Sequence, residues 1–229
     1  MFDKNKKVEQ LEQLMDEGKL DAFNLLYQQF KNQGFDIDGY RSPLLGHDIC
    51  GLLSSAMLQG QPDFAGFLIG KIPADEVARL TPEFSKKGKY GTYRATLLYL
   101  AIENRMDDIA LQLIKNPNVD LGWGMEQEHT GSHGSTYWDN IEDTFKLAAR
   151  MGNPKIIEAL YSAHINDLNA RANEIKEHAH FFKNHRSKKK LALAQEFTAA
   201  RDGLLKKATG QPPLPAPPTG KPPTPKPCP

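Results

Sequence analysis

The sequence predicts an all-α fold in which stacked helical hairpins are followed by one long helix or a further helical hairpin. Three observations support this fold class. An apolar pattern with helical spacing occurs four times between residues 8 and 169. In three copies a glycine follows the centre of the pattern by four residues, where a helix would end. From residue 166 to about residue 205 the chain has no proline and a single glycine, which favours uninterrupted helix.

The four copies of the pattern have similar spacing. Their centres are, in chain order, Leu14, Ala56, Ala101 and Ala148. These positions lie 42, 45 and 47 residues apart, so each copy has room for two short helices and a connecting segment. Alanine at the centre of the first helix lets a neighbouring copy pack closely. The spacing therefore predicts pairs of helices that stack on one another and share a core.

The residue four places after each centre is expected to end the first helix of the pair. Gly18, Gly60 and Gly152 can adopt the left-handed backbone conformation that such a tight turn requires. The third copy has Arg105 at this position, which fits a left-handed conformation less well. The second helix then carries an apolar stripe, as in residues 156–161, and stacking of the pairs covers it.

Parts of this pattern resemble the repeats of the ankyrin family. Residues 96–101, Thr-Leu-Leu-Tyr-Leu-Ala, resemble that family's Thr-Pro-Leu-His-x-Ala. Residues 152–161 resemble its Gly-x-x-x-Ile-Val-x-x-Leu-Leu, and residues 117–120 resemble its closing Ala-Asp-Val-Asn. On these residues the chain looks like a degenerate ankyrin-repeat protein, with about four repeats in a body that spans residues 1–169.

The resemblance implies insertions between the repeats, because the spacing exceeds the family's period of about 33 residues. The excess falls near residues 31–45, 70–93 and 119–141. Ankyrin proteins carry β-hairpin fingers at this position, and in this chain we expect the fingers to be lost or remade. Divergent ankyrin proteins with long insertions resemble, in turn, effectors that intracellular bacteria deliver into host cells.

Charge divides the chain into an acidic body and a basic arm. Residues 1–169 carry 17 Lys and Arg against 24 Asp and Glu, which is a net charge of −7. Residues 170–209 carry 10 against 4, which is +6, and form the predicted basic helical arm. A heptad seam that includes Leu193 follows this arm, and the favoured arrangement is a hairpin that breaks near Asn184–Ser187. Residues 210–229 are proline-rich and are predicted to form a disordered or extended tail.

A protein-binding surface is predicted from two sets of residues. The first set lies where the resemblance places the recognition groove of ankyrin proteins, and comprises Gln59, Glu103, Asn104, Arg150 and Met151. The second set consists of aromatic residues in the insertions, where rigid side chains can anchor a partner. These are Tyr90, Tyr93, Trp123, Tyr137 and Trp138. The equally weighted alternative is that at least one tryptophan covers the hydrophobic core.

A basic run on the arm is the candidate polyanion site. It contains Arg186, Lys188, Lys189 and Lys190, and could contact nucleic acid or anionic lipid. Such runs are more often solvated helix surface. The acidic body of the same chain is the favoured partner for the run, since nucleic-acid binding usually combines a basic body with interleaved aromatic residues.

No catalytic residue, metal ligand or cofactor is predicted. His129 and His133 are four residues apart, but the glycines around them argue against a shared helix face. His178 and His180 are two residues apart and point to different helix faces. Cys50 lies in an apolar run without a nucleophile motif, which favours a buried structural role.

The predicted function is that of a protein–protein interaction module with an unidentified partner, in the manner of an effector that acts on a host protein. Two alternatives stay open: an enzyme or enzyme modulator with its site in the insertions, and polyanion binding through the basic arm. The first residues lead directly into a polar helix, so neither a signal peptide nor a transmembrane span is expected. The expected location is the cytoplasm, or a host cell after export without a cleaved signal peptide.

Overall fold

A computed structural model describes residues 2–34, 49–85, 91–130, 135–177 and 181–209. The helices in these ranges are α1 (Phe2–Asp16), α2 (Leu20–Asn32), α3 (Ile49–Gln59), α4 (Pro62–Ile69), α5 (Ala74–Arg79), α6 (Leu97–Glu103), α7 (Asp107–Ile114), α8 (Thr144–Met151), α9 (Pro154–Glu177) and α10 (Phe181–Thr209). The strands are β1 (Glu83–Phe84), β2 (Tyr93–Ala95), β3 (Met125–Thr130) and β4 (Thr136–Glu142). The predictions for Tyr90, for His133, His178 and His180, and for residues 210–229 lie outside the described residues.

Consecutive helices pack as pairs, and the pairs stack on one another. The pairs are α1 with α2, α3 with α4, α6 with α7, and α8 with α9. Helix α6 contacts both α3 and α8, while α7 contacts both α4 and α9. The predicted small centres Ala56, Ala101 and Ala148 are all buried at these contacts. Burial of apolar side chains between the pairs supplies the core.

The turns within the pairs use the left-handed backbone conformation. Gly18, Gly60 and Gly152 have φ angles of 69°, 66° and 68°, which confirms the prediction for these glycines. Arg105, with φ 56°, adopts the same conformation in the third pair. A side chain with a Cβ is disfavoured in this conformation, so Arg105 is held there by the packing of α6 and α7 on their neighbours.

The prediction of an all-α, ankyrin-like solenoid is wrong, because the insertions contain a four-stranded antiparallel sheet with the order β1-β2-β3-β4. Tyr93 pairs with Gln127 and Ala95 pairs with Met125, so the sheet joins segments about 30 residues apart. Tyr93, Ala95 and Met125 are buried and attach the sheet to the helical core. The fold is therefore mixed α and β.

The last two helices pack along each other as a hairpin. Helix α9 continues across residues 169 and 170, so the predicted boundary between body and arm falls inside a helix. The chain leaves α9 at Glu177, and the predicted break at residues 184–187 instead lies within α10. Ser187 is buried and donates a hydrogen bond to the carbonyl of Ala172 at 2.9 Å.

The predicted seam of α10 is wrong at Leu193, whereas the predicted seam residues Phe197 and Leu204 pack against the core. Ala194 is buried against the core, whereas the predicted seam residue Leu193 is 39% exposed. Phe197 contacts Phe145 of α8 and Tyr161 of α9, with ring centroids 5.1 and 5.9 Å away. Helix α10 is therefore attached to the body by apolar contacts.

Candidate protein-interaction surface

Strands β3 and β4 form a β-hairpin at one side of the sheet, and this β-hairpin is referred to as the hairpin. Within it Gln127 pairs with Asp139 and His129 pairs with Tyr137. Strand β2 pairs with the opposite side of β3 and fixes the hairpin to the body. The order of the strands leaves β4 at the edge of the sheet.

Arg94 of β2 holds the hairpin from one face. Its guanidinium lies 4.2 Å from the ring centroid of Trp138 and 5.5 Å from that of Trp123. Its Nε donates to Glu126 Oε2 at 2.6 Å, and both side chains are mostly shielded from solvent. Cation–π contacts of this kind are worth about 0.5–2 kcal/mol each. Both tryptophans therefore support the sheet, and neither belongs to the hydrophobic core that the alternative prediction expected one of them to cover.

The base of the hairpin is tied to the first turns of α6 and α8. The carbonyl oxygen of Trp123 accepts hydrogen bonds from the hydroxyls of Thr96, at 3.2 Å, and Thr144, at 2.7 Å. Thr96 also accepts from the backbone N–H of Tyr99 and so caps α6. Because both threonines are buried, loss of either would leave polar groups without a partner.

Glu142 at the end of β4 joins the sheet to two helices. The hydroxyl of Tyr99, in α6, donates a hydrogen bond to Glu142 Oε2 at 2.7 Å. Arg150 of α8 donates from Nε to Oε1 at 3.0 Å and from Nη2 to Oε2 at 2.9 Å, which is a bidentate pair. Burial, followed by the hydrogen bond to Glu142, raises the pKa of Tyr99, so its hydroxyl stays a donor. Arg150, a predicted groove residue, therefore stabilises the junction between sheet and helices.

The exposed apolar side chains are concentrated on β4. In the described part of the chain the large hydrophobic residues with high exposure are Leu25, Tyr137, Ile141 and Leu193. Tyr137 is 50% exposed and Ile141 is 46% exposed. The imidazole of His129 stacks on Tyr137 with ring centroids 5.6 Å apart. Among the predicted aromatic anchors that the structure describes, Tyr137 is exposed, Trp123 and Trp138 are partly buried and Tyr93 is buried.

Tyr93 does not lie on a recognition surface. The prediction that it binds a partner is wrong, because its side chain is buried. Its ring stacks on Phe84 with centroids 6.1 Å apart. Alternation along β2 places Tyr93 and Arg94 on opposite faces of the sheet, and only the face with Tyr93 meets the core.

The predicted groove residues lie along the first helices but mostly bind their own neighbours. Gln59 donates to Asp16 at 2.9 Å, and Asn104 donates to the carbonyl of Met57 at 2.9 Å. Glu103 lies close enough to Tyr99 and Arg150 to raise the pKa of each as a secondary cause. Met151 lines a small cavity of about 90 Å³ between the third and fourth pairs. These residues connect neighbouring pairs of helices.

The basic run lies on the surface of α10. Arg186, Lys188 and Lys189 are exposed and Lys190 is partly exposed. Within the described ranges, none of these four residues forms an ion pair with an acidic residue. The favoured prediction, that the run binds the acidic body of its own chain, is therefore not met by the residues described.

A groove of the described surface lies between α9 and the segment after α7. It measures about 610 Å³ and is lined by Asp120, His164, Asp167 and Arg171, among others. Burial lowers the pKa of His164, whose ring contacts Phe145. Asp167 is paired with Arg171 at 2.8 Å, so the groove offers no arrangement of nucleophile and base.

Sequence reasoning missed Ile141 and Arg94. Ile141 follows two polar residues in a strand with no regular apolar alternation, so its exposure had no sequence signal. The role of Arg94 had a weak sequence signal: it is an arginine beside Tyr93, and the next insertion contains two tryptophans on which its guanidinium could pack.

The described residues contain neither a candidate metal site nor a candidate membrane span. No group of three or more His, Cys, Asp or Glu in the described ranges could hold a metal ion. No described helix is long and apolar enough to cross a bilayer. Comparison of the chain with protein-family models, with curated proteins and with solved structures finds no match.

Proposed function

We propose that the protein is a protein–protein interaction module and that the hairpin carries its recognition surface. The observation that supports this proposal is the pair Tyr137 and Ile141, two large apolar side chains exposed on the same strand. Complete burial of such a side chain contributes about 1.5–3 kcal/mol. Tyrosine is also enriched among residues that dominate binding energy at interfaces.

The support beneath the hairpin favours binding. Arg94 is held between two indole rings, and Glu142 accepts hydrogen bonds from two helices. A surface that is ordered before the partner arrives loses little conformational entropy on association. Tyr137 and Ile141 are therefore presented at a low cost in ordering.

The charge of the hairpin limits the class of partner. Residues 125–142 contain four carboxylates and no Lys or Arg. Glu126 and Glu142 are paired with Arg94 and Arg150 of neighbouring elements, which leaves Glu128 and Asp139 without a Lys or Arg partner in the described ranges. Complementary charge accelerates encounter and improves specificity. The partner surface that fits is therefore apolar at its centre and basic around it.

Site-specific crosslinking tests this proposal. The photoreactive residue p-benzoylphenylalanine replaces Tyr137 in one full-length protein and Leu25 in another. Leu25 is the matched control because it is also an exposed apolar residue, but lies on α2. We expect one protein from a eukaryotic or bacterial lysate to crosslink saturably at position 137 and not at position 25.

Competition completes the experiment. Unlabelled wild-type protein should suppress the crosslink at position 137, whereas the Tyr137→Ser, Ile141→Ser double variant should not. Equal crosslinking at positions 137 and 25, or equal competition by both proteins, would count against the hairpin as the recognition surface.

A second candidate function is supported by the basic run. Arg186, Lys188 and Lys189 are exposed and have no acidic partner within the described ranges. We propose polyanion binding as the alternative, with duplex DNA and phosphatidylserine vesicles as separate probes. Binding of either probe that falls steeply with salt concentration, and that is lost in the double variant Lys188→Glu, Lys189→Glu, would support this alternative. Binding unchanged by the charge reversal would exclude it.

The proposed location is the cytoplasm, or a host cell after delivery without a cleaved signal peptide. Its support is the local sequence resemblance of residues 96–101, 117–120 and 152–161 to ankyrin repeats, since the mixed α and β fold is not an ankyrin solenoid. A translocation reporter fused to the full chain tests delivery, and retention of the reporter in the bacterium would refute it.

A further inference from the structure

We infer that an extended, basic segment of the partner protein binds by adding a strand to the outer edge of β4. This inference rests on the proposed function, because it assigns a partner chemistry to the same hairpin. It adds a binding mode in which backbone hydrogen bonds supply affinity and alternating side chains supply specificity.

The outer edge of β4 is open. The strand has seven residues, and within the described ranges it pairs with β3 alone. No backbone hydrogen bond from another described segment reaches it. Natural proteins usually protect such an edge with lysine, proline or a covering element. Strand β4 contains neither Lys nor Pro. A β-bulge can also protect an edge, but the register shift of β4 lies opposite Met125 and Glu126 at the end of the strand, so the edge from Tyr137 to Asn140 is regular and open.

The backbone groups that face outward follow from the hydrogen-bond pattern. Glu128 donates its N–H to the carbonyl of Thr92 at 2.9 Å, so Glu128 faces β2. Directions alternate along an antiparallel strand, and therefore the residues on either side of Glu128 face β4. Their partners, Tyr137 and Asp139, consequently face back toward β3. The N–H and C=O groups of Trp138 and Asn140 point away from the sheet.

The residues on the two faces of β4 determine which side chains of the partner segment fit beside them. Tyr137 lies on one face with His129, and Trp138 lies on the other with Glu128, because paired residues share a face. An added strand would place alternate residues beside Tyr137 and the intervening residues beside Trp138, where a long basic side chain can reach across to Glu128 on the same face of β3. The segment that fits alternates apolar residues with Lys or Arg.

Charge argues against a second copy of β4 as the occupant. An antiparallel pair of identical strands would place side by side two strands that each carry Asp139 and Glu142 and no Lys or Arg, and the register centred on Asp139 would set two carboxylates directly opposite. Like charges directly opposite one another destabilise a sheet. A basic segment instead gains from Glu128 and Asp139, the two hairpin carboxylates that have no Lys or Arg partner in the described ranges, so we commit to a heterologous, basic strand.

A peptide pool tests the inference on the full-length protein. The pool contains nine-residue peptides in which Lys or Arg alternates with Val, Ile, Thr or Tyr, and a reference pool carries Glu in place of the basic residues. Retained peptides are identified by mass spectrometry, and the strongest is resynthesised with N-methyl groups on alternate amides. N-methylation keeps the charge and the side chains but removes the donors that a strand needs.

We expect the protein to retain peptides of the basic pool and none of the acidic reference pool. N-methyl groups can be placed on the odd-numbered or on the even-numbered amides, and one of these two patterns should lower the affinity of the peptide at least tenfold. Equal binding of the N-methylated peptides would show attraction by charge without strand addition and would overturn the inference. Failure of the whole basic pool would overturn it as well. A saturable crosslink at position 137 in that case would leave the proposed function standing.

A variant of β4 provides a second, independent measurement. Asn140→Pro removes an N–H that points outward and leaves the bonds to β3 in place, while Asn140→Ala is the matched control. We expect Asn140→Pro to bind the selected peptide at least tenfold more weakly and Asn140→Ala to bind within about threefold of wild type. Equal binding by both variants would overturn the inference, and the N-methyl comparison decides it even when Asn140→Pro fails to fold.

Discussion

Gly124 lies just before β3, and the substitution Gly124→Ala, which adds one methyl group, tests how the hairpin is attached to the body. A Cβ at this position would overlap the carbonyl oxygen of Glu142 and lie 2.9 Å from Cα and C of Asp143. These are backbone atoms and cannot rotate away as a side chain would. Gly124→Ala must therefore push the end of β4 and the start of α8 away from the base of the hairpin.

The expected cost follows from the atoms that must move. Overpacking a well-packed site costs about 1–3 kcal/mol, and the backbone obstacle places Gly124→Ala near about 3 kcal/mol. The displaced segment also carries Glu142, so its hydrogen bonds to Tyr99 and Arg150 would lengthen. For a chain of this length, a loss of about 3 kcal/mol lowers the melting temperature by about 6–12 °C.

Thermal unfolding followed by circular dichroism at 222 nm measures this effect. Gly122→Ala is the matched control, since a Cβ there would meet only Asp120 Oδ1 at an ordinary contact distance of 3.5 Å. We expect the control to melt close to the wild-type temperature. If Gly124→Ala melted within about 2 °C of wild type, the close approach of the hairpin base to β4 would be refuted.

Three further predictions concern the helical pairs. Arg105→Gly should raise the free energy of unfolding by about 1 kcal/mol, because glycine relieves the left-handed strain at φ 56°; an unchanged midpoint in urea would contradict this. Ala101→Phe should lower the free energy of unfolding by about 1–3 kcal/mol, since Ala101 is buried between stacked pairs, and a melting temperature equal to that of wild type would remove the support for stacking. The pKa of His164 is lowered from 6.5 by burial, so the unfolded chain takes up a proton first as the pH falls. Stability should therefore decline below about pH 6.5 in the wild type and decline less in His164→Gln; parallel pH profiles for the two proteins, measured by urea unfolding, would refute this assignment.

The helical pairs could be predicted from sequence because their signals are local. Gly18, Gly60 and Gly152 follow the apolar centres at a fixed interval and adopt the expected left-handed turns. Arg105 adopts the same turn against its own preference. Packing of α6 and α7 on the neighbouring pairs therefore outweighs the conformational preference of one residue.

The sheet could not be predicted because its signals are not local. Strands β1 and β2 have two and three residues, which is too short for an alternating pattern to be recognised. Strand β3 is mostly polar and depends on pairing with β2, about 30 residues earlier in the chain. The sequence of the polar insertions therefore contains no local pattern that predicts strands.

The candidate site was only partly predictable for the same reason. Tyr137 was predicted as an aromatic anchor and is exposed, whereas Tyr93 was predicted in the same way and is buried. Pairing through Gln127 and Asp139 places both residues on the same face of the sheet, so the difference depends on the strand: β2 lies inside the sheet against the core, whereas β4 lies at its edge. Leu193 shows a related error, since a heptad extended across the end of α9 assigned it to the seam in place of Ala194.

Helix α10 restricts how such a chain can lengthen. In a protein built from stacked units, every unit offers an apolar face to the next, and the last unit needs a cover. Phe197 provides that cover by contacting Phe145 and Tyr161 of the last pair. A further pair appended after α9 would have to displace α10, whereas a pair duplicated upstream of α8 would leave it in place. Gene duplication and protein design alike would therefore extend this stack from its interior.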